Sequence, residues 1–383
     1  MSVIGQKMEK QLSKVAKKVV ISNNDCKYIF LFKRNLIEAL LEQGFSVTVV
    51  APKDDFSHRI RETGADHYPV ILDTHSMNPF REILTFVSMY RAYRALKPFV
   101  NLVFTIKPNI YGTLAASLLK IKTINNITGL GSSFLQSGIN QTVIKILYRL
   151  ALRVSSKIFF QNPEDRDLFV RQNLVEIRKT ILIPGSGVDI DRFKPIQEDS
   201  QPGKCVFLMI GRILVDKGVL EYVEAARMIR DRCDGASFLL LGSCDSGNSS
   251  AIDRQRVMKW HEDGTIEYLG EVGDVRPIIS SSDVVVLPSY REGMPRVLLE
   301  ALAMEKPVIG SDAPGCRSIV EDGVNGYLCK IKDAKDLAHQ MQKMILLSDF
   351  ERSEMGKNGR NTVVSEFDEQ IVIKTYIETI GSI

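Results

Sequence analysis

Two glutamates, Glu292 and Glu300, lie eight positions apart in the segment YREGMPRVLLE and are the first candidates for chemistry. Paired carboxylates often act as general acid and base, and glycosidases hold such pairs roughly 5–9.5 Å apart. Eight residues of helix would separate these two by about 12 Å along the axis. Pro295, which lies between them, also favours a helix start at that point. The spacing therefore predicts two carboxylates with separate roles.

Glu292 is expected in a loop between a strand that ends at Pro288 and a helix that contains Glu300. A carboxylate at a strand end can accept hydrogen bonds from ligand hydroxyls, and the free N–H groups of the next turn favour an anion. Alternatively, Glu292 only caps the helix. The residues expected around a ligand here are Gly211, Pro288, Gly293, Met294, Pro295, Val297 and Leu298.

A cationic cluster follows the strand candidate 205–211, where Arg212 and Lys217 flank a short turn. The planar guanidinium of Arg212 and the compact charge of Lys217 suit a diphosphate, although a surface salt bridge would explain either residue taken alone. Asp189-Ile-Asp191 has the spacing of a metal-binding pair, but it follows a Pro-Gly-Ser-Gly-Val linker and is interpreted as structural. No His, Asp and Glu cluster indicates a metal site.

The first half offers weaker candidates. The turn Thr128-Gly129-Leu130-Gly131 could bring backbone N–H groups to a phosphate, or it is a tight turn without a ligand. The segments 80–96 and 7–18 are basic and could lie on an anionic membrane surface, although core packing explains the apolar residues of 80–96 equally well.

Two series of alternating strand and helix patterns position these residues. Their continuous Val and Ile runs indicate parallel sheets covered on both faces. We predict strands at 18–22, 46–51, 68–72, 102–106, 123–128, 157–161 and 180–183, and at 205–211, 237–242, 266–269, 283–288, 307–311 and 326–329. The predicted α/β fold has two doubly wound, Rossmann-like domains facing a cleft, at 1–185 and 186–365. A helix within 366–383 is expected to pack back on the first.

Composition excludes several classes of protein. The chain of 383 residues is 44% hydrophobic and 25% charged, which is typical of a globular protein. No apolar run approaches the roughly 20 residues of a membrane span, no secretory signal is recognisable, and no G-x-G-x-x-G follows the first strand, which argues against a nicotinamide-dependent dehydrogenase. Six cysteines without C-x-x-C spacing indicate reduced thiols of a cytoplasmic protein.

The net charge of +4 hides a strong asymmetry between the halves. Residues 1–190 carry 26 Lys and Arg against 15 Asp and Glu, whereas the remainder carries 24 against 31. A basic half indicates an anionic partner such as a phosphate, a nucleic acid or a lipid surface, or else a solvated face without a partner. The absence of an aromatic-interleaved binding motif argues against nucleic acid.

Several motifs together resemble the retaining glycosyltransferases of family 4, which have the GT-B fold. The segment that includes Glu292 and Glu300 resembles their E-x₇-E signature. The other matching segments are 105–112, 128–131, 183–189, 211–218, 287–292 and 314–316. The similarity implies an enzyme that transfers a hexose or N-acetylhexosamine to a polyprenyl-diphosphate-linked saccharide and retains the anomeric configuration of the transferred sugar. The donor would be a nucleotide-sugar, with UDP as the expected nucleotide, and the enzyme would need no metal. It would act at the inner face of a bacterial cell membrane during surface glycan synthesis.

By this resemblance, Glu292 would bind donor-sugar hydroxyls and Glu300 the ribose, while Arg212 and Lys217 would hold the diphosphate. The sequence departs from the family after the first strand, where Asn23-Asn24 replaces a Gly-Gly loop, and after the fourth, where Lys107 stands near the usual histidine. Lys107 with Asn109 is expected to take over part of the acceptor site, with Lys107 as a catalytic candidate beside Arg212, Lys217 and Glu292; alternatively, Lys107 is only a lysine on a loop. The alternatives are an epimerase or hydrolase of the same fold, and a non-catalytic binder of anionic lipid or nucleic acid.

Overall fold

The computed structural model describes residues 16–74, 78–130, 139–196, 204–231, 235–244, 248 and 250–383. The chain folds into two compact units. The first unit comprises the residues up to Phe160 together with Arg166–Leu182 and Ile373–Ile383, and the second comprises Gln161–Asp165 and Ile183–Val372. The division after Leu182 lies near the predicted boundary at 185, whereas the transfer of Gln161–Asp165 to the second unit was not foreseen.

The first unit is built on a seven-stranded sheet in which every pair of neighbours is parallel. The strand order is β3-β2-β1-β4-β5-β6-β7. Successive strands are therefore added in one direction from β1 to β3 and in the opposite direction from β4 onward, which makes the position between β1 and β4 a topological switch point. The seven predicted strands are all present, with ends that differ by a few residues. They are β1 Lys18–Ser22, β2 Ser46–Ala51, β3 Asp66–Pro69, β4 Val100–Phe104, β5 Lys122–Ile127, β6 Lys157–Phe160 and β7 Thr180–Leu182.

Helices cover the sheet of the first unit and complete its core. They are α1 Cys26–Glu42, α2 Ser57–Glu62, α3 Pro79–Leu96, α4 Thr113–Leu118, α5 Ile139–Val154 and α6 Pro163–Arg171, with a π-helical turn, Pro108–Gly112, before α4. Helix α1 begins at Cys26, because the Asp25 side chain accepts the Tyr28 N–H and caps the first turn.

The second unit contains a six-stranded parallel sheet in the order β10-β9-β8-β11-β12-β13. Its six predicted strands are also present. They are β8 Cys205–Ile210, β9 Ala236–Leu241, β10 Glu267–Gly270, β11 Val284–Leu287, β12 Val308–Ser311 and β13 Gly326–Cys329. Both sheets therefore confirm the predicted α/β class. In the second sheet the order of strand addition reverses between β8 and β11, which is the topological switch point of that sheet.

The helices of the second unit pack around this sheet. They are α7 Val219–Arg230, α8 Arg254–Glu262, α9 Arg276–Ser280, α10 Arg296–Ala303, α11 Ala334–Leu346 and α12 Asp349–Thr362. One core contains the stacked rings of Phe207 and Phe238 with Tyr222 against them. A second core contains Leu298 and Leu302 of α10, so this helix is fixed to the sheet by its apolar face.

The last helix, α13 Glu369–Ser382, carries residues that belong to the core of the first unit. The Tyr376 hydroxyl donates to the Asn126 side chain, and its ring packs against Phe104 and Phe159. The Tyr376 side chain is fully buried, so α13 fills a position on the sheet of the first unit.

Two observations bear on the environment of the chain. Among the described residues, no helix combines the length and the apolar character needed to cross a bilayer. The five cysteines within this part of the chain are free thiols, and burial raises the pKa of Cys26, Cys205, Cys316 and Cys329 to about 12.

Candidate active site

The candidate site lies at the topological switch point of the second sheet, between β8 and β11. These strands are parallel neighbours, with Phe207 opposite Val284 and Met209 opposite Val286. Their carboxyl ends therefore open at the same edge of the sheet, and ligands of doubly wound sheets bind at such a switch point. The turn after β8 carries Arg212 and Lys217, and the turn after β11 carries Glu292.

Close backbone packing locks the two turns together. The Tyr290 N–H and the Ser289 hydroxyl both donate to the Asp216 carbonyl oxygen, at 2.9 and 3.1 Å. Gly218 has φ +77°, and a Cβ at this position would overlap the carbonyl of Pro288. A glycine is thus required both by the left-handed backbone and by the close approach.

Lys217 and Glu292 form an ion pair across the two turns. The Lys217 Nζ lies 2.5 Å from Glu292 Oε1, and the two side chains are 22% and 14% exposed. The Glu292 N–H donates to the Pro314 carbonyl at 3.2 Å, which fixes the backbone that carries the carboxylate. The site thus presents a cation and a hydroxyl-accepting carboxylate side by side. The turn that carries Lys217 also carries Arg212, whose side chain is exposed.

Glu300 lies inside α10, whereas Glu292 lies in the loop before it, as the spacing predicted. The Glu300 Oε1 accepts a hydrogen bond from Arg296 Nε at 2.9 Å, one helical turn earlier. Burial raises the pKa of the Glu300 carboxyl, and the neighbouring Arg296 guanidinium opposes that shift. The two glutamates have different cationic partners, so they form two separate polar positions.

The other predicted donor residues divide into positions at the surface and in the core. Met294 and Val297 are partly buried beside the loop, and Gly211 begins the Arg212 turn. Leu298 is fully buried, so its side chain serves packing. Pro288, Gly293 and Pro295 are also buried and shape the backbone around Glu292.

In the first unit, Lys107 follows β4 at the carboxyl edge of the sheet. Its Nζ lies 2.5 Å from Glu82 Oε1 of α3, and both side chains are about seven-eighths buried (13% and 14% exposed). The same carboxylate and burial together raise the pKa of the Tyr111 phenol. Thr105, just before Lys107, has φ +62°, an unusual conformation for a β-branched residue.

The remaining predicted acceptor residues follow β4 and β5. Asn109 is buried, its Nδ2 donates to the Asn126 carbonyl at 2.9 Å, and its Oδ1 accepts from Asn125 Nδ2 at 3.0 Å. Its amide therefore ties the two strand ends together. Thr128 and Gly129 are partly buried, and Gly129 has φ +137°; Gly131 lies outside the described residues.

Asp189 has a structural role in the described part of the chain. Its Oδ1 accepts the backbone N–H groups of Asp191 and Arg192 at 3.1 and 2.9 Å. The carboxylate therefore closes a local turn, as the linker context suggested.

Sequence reasoning missed Glu82 and the polar residues that contact the Glu292 loop. Asn162 and Asp165 lie 131 and 126 positions away from their partners Gly293 and Arg291. No local spacing could connect them. Glu82 carried a weak signal as the single acid in the basic segment 80–96.

Two family descriptions match the chain, one for each half. Residues 19–162 match the family described as "Glycosyl transferase 4-like", and residues 204–346 match "Glycosyl transferases group 1". The second match includes the turns that carry Arg212, Lys217 and Glu292.

Similar proteins include two curated bacterial enzymes. One is the N,N'-diacetylbacillosaminyl-diphospho-undecaprenol alpha-1,3-N-acetylgalactosaminyltransferase of Campylobacter jejuni, 29% identical over 91% of this chain and 94% of the relative. Another is the UDP-Gal:alpha-D-GlcNAc-diphosphoundecaprenol alpha-1,3-galactosyltransferase of Escherichia coli, 26% identical over 75% of this chain and 76% of the relative. Among solved structures, Anabaena Alr3699/HepE in complex with UDP and glucose has a TM-score of 0.79 at 18% identity, covering 96% of this chain and all of that one, which shows a shared fold.

The contact between Gly218 and Pro288 generates a stability prediction. Gly218→Ala should lower the free energy of unfolding by roughly 1–3 kcal/mol more than Gly270→Ala does, because the new methyl group overpacks the turn. Gly270 is a matched control, since it has φ +73° and open space around its Cβ position. Trp260, the one tryptophan of the chain, lies in the core of the second unit and reports unfolding in urea by fluorescence. Equal losses for the two variants would contradict the packing argument.

Proposed function

Since this chain belongs to the glycosyltransferases with the GT-B fold, we propose that it is a retaining hexosyltransferase of family 4 that moves a hexose or N-acetylhexosamine from a UDP-sugar to a polyprenyl-diphosphate-linked saccharide. The observation that carries the proposal is the Lys217–Glu292 pair at the β8–β11 switch point. Phosphate oxygens and sugar hydroxyls are adjacent in a nucleotide-sugar, and this site offers a partner for each.

The donor is divided among the polar positions of the second unit. Arg212 and Lys217 hold the diphosphate and stabilise the charge that develops as it leaves. Glu292 accepts hydrogen bonds from sugar hydroxyls, and Glu300 accepts them from the ribose. The separate cationic partners of the two carboxylates support this division. The choice of UDP follows the names of two similar proteins, which contain UDP.

The acceptor binds the first unit at the carboxyl edge of β4 and β5, near Lys107 and the turn that begins at Thr128 and Gly129. The Lys107–Glu82 pair occupies the lysine ammonium, so we assign Lys107 to acceptor positioning and not to proton transfer. The departing phosphate itself takes the acceptor proton on the same face of the sugar. Cationic side chains supply the charge for this step, and we propose that transfer needs no metal ion.

An enzyme with a lipid-linked acceptor must act at a membrane surface. One layer of helices in the first unit is suited to membrane binding. Helix α4 packs between α3 and α5. These three helices carry six Lys and Arg but a single acid, Glu82, which is paired with Lys107. Their exposed large apolar side chains define the α3–α5 surface: Phe80, Ile83, Leu84, Leu118, Val143, Ile146, Leu150 and Val154.

Exposed apolar residues interspersed with cations are typical of a surface that binds anionic lipid. The α3–α5 surface includes the basic helix at 79–96, whereas Lys7, Lys10 and Lys14 of the basic segment 7–18 lie outside the described residues. We therefore propose that the α3–α5 surface holds the enzyme at the cytoplasmic face of the cell membrane.

The activity is tested with UDP-, GDP- and ADP-sugars and a polyprenyl-diphosphate-linked saccharide. We expect a UDP-sugar to raise the melting temperature and its sugar to appear on the acceptor with retained configuration, as read by NMR, in the presence of EDTA. A ligand that binds only the folded state raises its melting temperature. Release of free sugar or of an epimer without acceptor would favour a hydrolase or epimerase instead.

Arg212→Ala and Lys217→Ala should each reduce transfer at least 100-fold, because a diphosphate leaving group loses charge stabilisation of about 3 kcal/mol or more. The measurement is kcat on the same acceptor. Arg254→Ala, an exposed arginine of α8, is the control and should retain wild-type activity. Near-normal turnover of both site variants would refute the assignment.

Membrane binding is tested by vesicle flotation. The double variant Ile146→Asp/Leu150→Asp should lose binding to phosphatidylglycerol vesicles, because it places charge on the apolar stripe of α5. Leu346→Asp/Phe350→Asp changes two exposed side chains of the second unit, 77% and 72% exposed, and should float like the wild type. Equal flotation of all three proteins would place the contact elsewhere.

A further inference from the structure

Two residues at the start of α6, Asn162 and Asp165, belong to the second unit and contact the loop that carries Glu292. The segment Gln161–Asp165 leaves β6 of the first unit but packs with the second. Both Asn162 and Asp165 are 1% exposed. Buried polar side chains are retained where their hydrogen bonds are satisfied, so their partners indicate what the segment does.

The partners of Asn162 and Asp165 are the two neighbours of Glu292. Asn162 Nδ2 donates to the Gly293 carbonyl at 2.7 Å. Asp165 Oδ1 forms an ion pair with the Arg291 guanidinium. The Gly293 backbone and the Arg291 side chain, on either side of Glu292, are thus held by a segment more than 120 positions earlier in the chain.

Asn162 and Asp165 also fix each other. The Asp165 N–H donates to Asn162 Oδ1 at 2.8 Å, which caps the first turn of α6, and Asn162 Nδ2 lies 3.2 Å from Asp165 Oδ2. The amide of Asn162 therefore uses its oxygen for the helix and its nitrogen for the Glu292 loop. A shared network of this kind moves as one body, because each member orients the next.

The loop has few other constraints on the position of the carboxylate. The Glu292 N–H donates to Pro314, and the side chain reaches Lys217. Gly315 allows this approach, since a Cβ there would lie 2.6 Å from the Glu292 carbonyl oxygen. Without the Asn162–Asp165 network, the Gly293 carbonyl would lose its Asn162 donor and the Arg291 guanidinium its Asp165 partner.

We propose that Asn162 and Asp165 are positioning residues that hold Glu292 in register with the sugar of the donor. This inference rests on the proposed function for the identity of the ligand. Misplacement of a binding group by about 1 Å costs on the order of 100-fold in rate. The effect should be specific to the sugar, because the proposed function assigns the sugar to Glu292 and the nucleotide to Arg212, Lys217 and Glu300.

The test compares Asp165→Asn and Arg291→Gln with the wild type. Asp165→Asn keeps the shape of the side chain and removes the charge that faces Arg291. The measured quantity is the gain in affinity that the sugar provides, which is the Kd of UDP divided by the Kd of the UDP-sugar. We expect this ratio to fall at least tenfold. The UDP-sugars are UDP-galactose, UDP-N-acetylgalactosamine, UDP-glucose and UDP-N-acetylglucosamine. Affinity for UDP should change by less than about twofold, since its assigned contacts are retained.

The double variant Asp165→Asn/Arg291→Gln provides an internal check. If the two side chains act as one pair, the double variant binds the UDP-sugar no more weakly than the weaker single variant. Asp283→Asn is the matched control, because it changes a carboxylate that accepts the Val206 N–H at 2.7 Å at the start of β11, the opposite end of that strand from Glu292. It should leave both affinities unchanged.

Two results would overturn the positioning role. One is sugar-dependent binding within twofold of the wild type in both single variants. The other is a parallel loss of UDP affinity and UDP-sugar affinity, which would indicate a general structural defect. These binding readouts require no transfer, so they are separate from the proposed activity, which fails if the wild type moves no sugar to any acceptor.

Discussion

The parallel pairing of β8 with β11 is the constraint on which the candidate site depends. These strands are distant in sequence, but their register brings two loop turns to one edge of the sheet. A register shift of two residues would move Glu292 by about 7 Å relative to Lys217, beyond ion-pair distance. The Gly218–Pro288 contact and the hydrogen bonds to Asp216 O fix the two turns to each other. The strand register therefore determines where the charged side chains of these turns lie.

Charge pairing explains how this edge remains stable without a ligand. Glu292, Glu300 and Asp165 are each largely buried, and each has a cationic partner. An unpaired carboxylate in such surroundings would carry a large desolvation cost. In the proposed donor complex, a phosphate and a sugar hydroxyl replace the partners of Lys217 and Glu292 together, so binding exchanges one satisfied arrangement for another.

The fold was largely predictable from sequence, because buried parallel strands require continuous Val and Ile runs such as those of β1, β2 and β11. The loop position of Glu292 and the helical position of Glu300 were predictable for a similarly local reason, the proline between them. What could not be predicted depends on contacts between distant segments. Asn109 looked like a ligand residue, yet its amide joins the turn after β4 to β5, and Lys107 has Glu82 beside it. The capping of α1 by Asp25 was a local signal that went unused.

The placement of residues 373–383 in the first unit has a consequence for biosynthesis. The ribosome makes the seven strands of that unit first, then residues Ile183–Val372 of the second unit, and only afterwards Tyr376, whose ring and hydroxyl complete the buried contacts of Phe104, Phe159 and Asn126. The first unit must therefore wait, with an uncovered part of its sheet, while about half the chain emerges. At roughly 5–20 residues per second this interval lasts on the order of ten seconds or more. During that time Phe104 and Phe159 lack the cover that Tyr376 gives them in the folded chain.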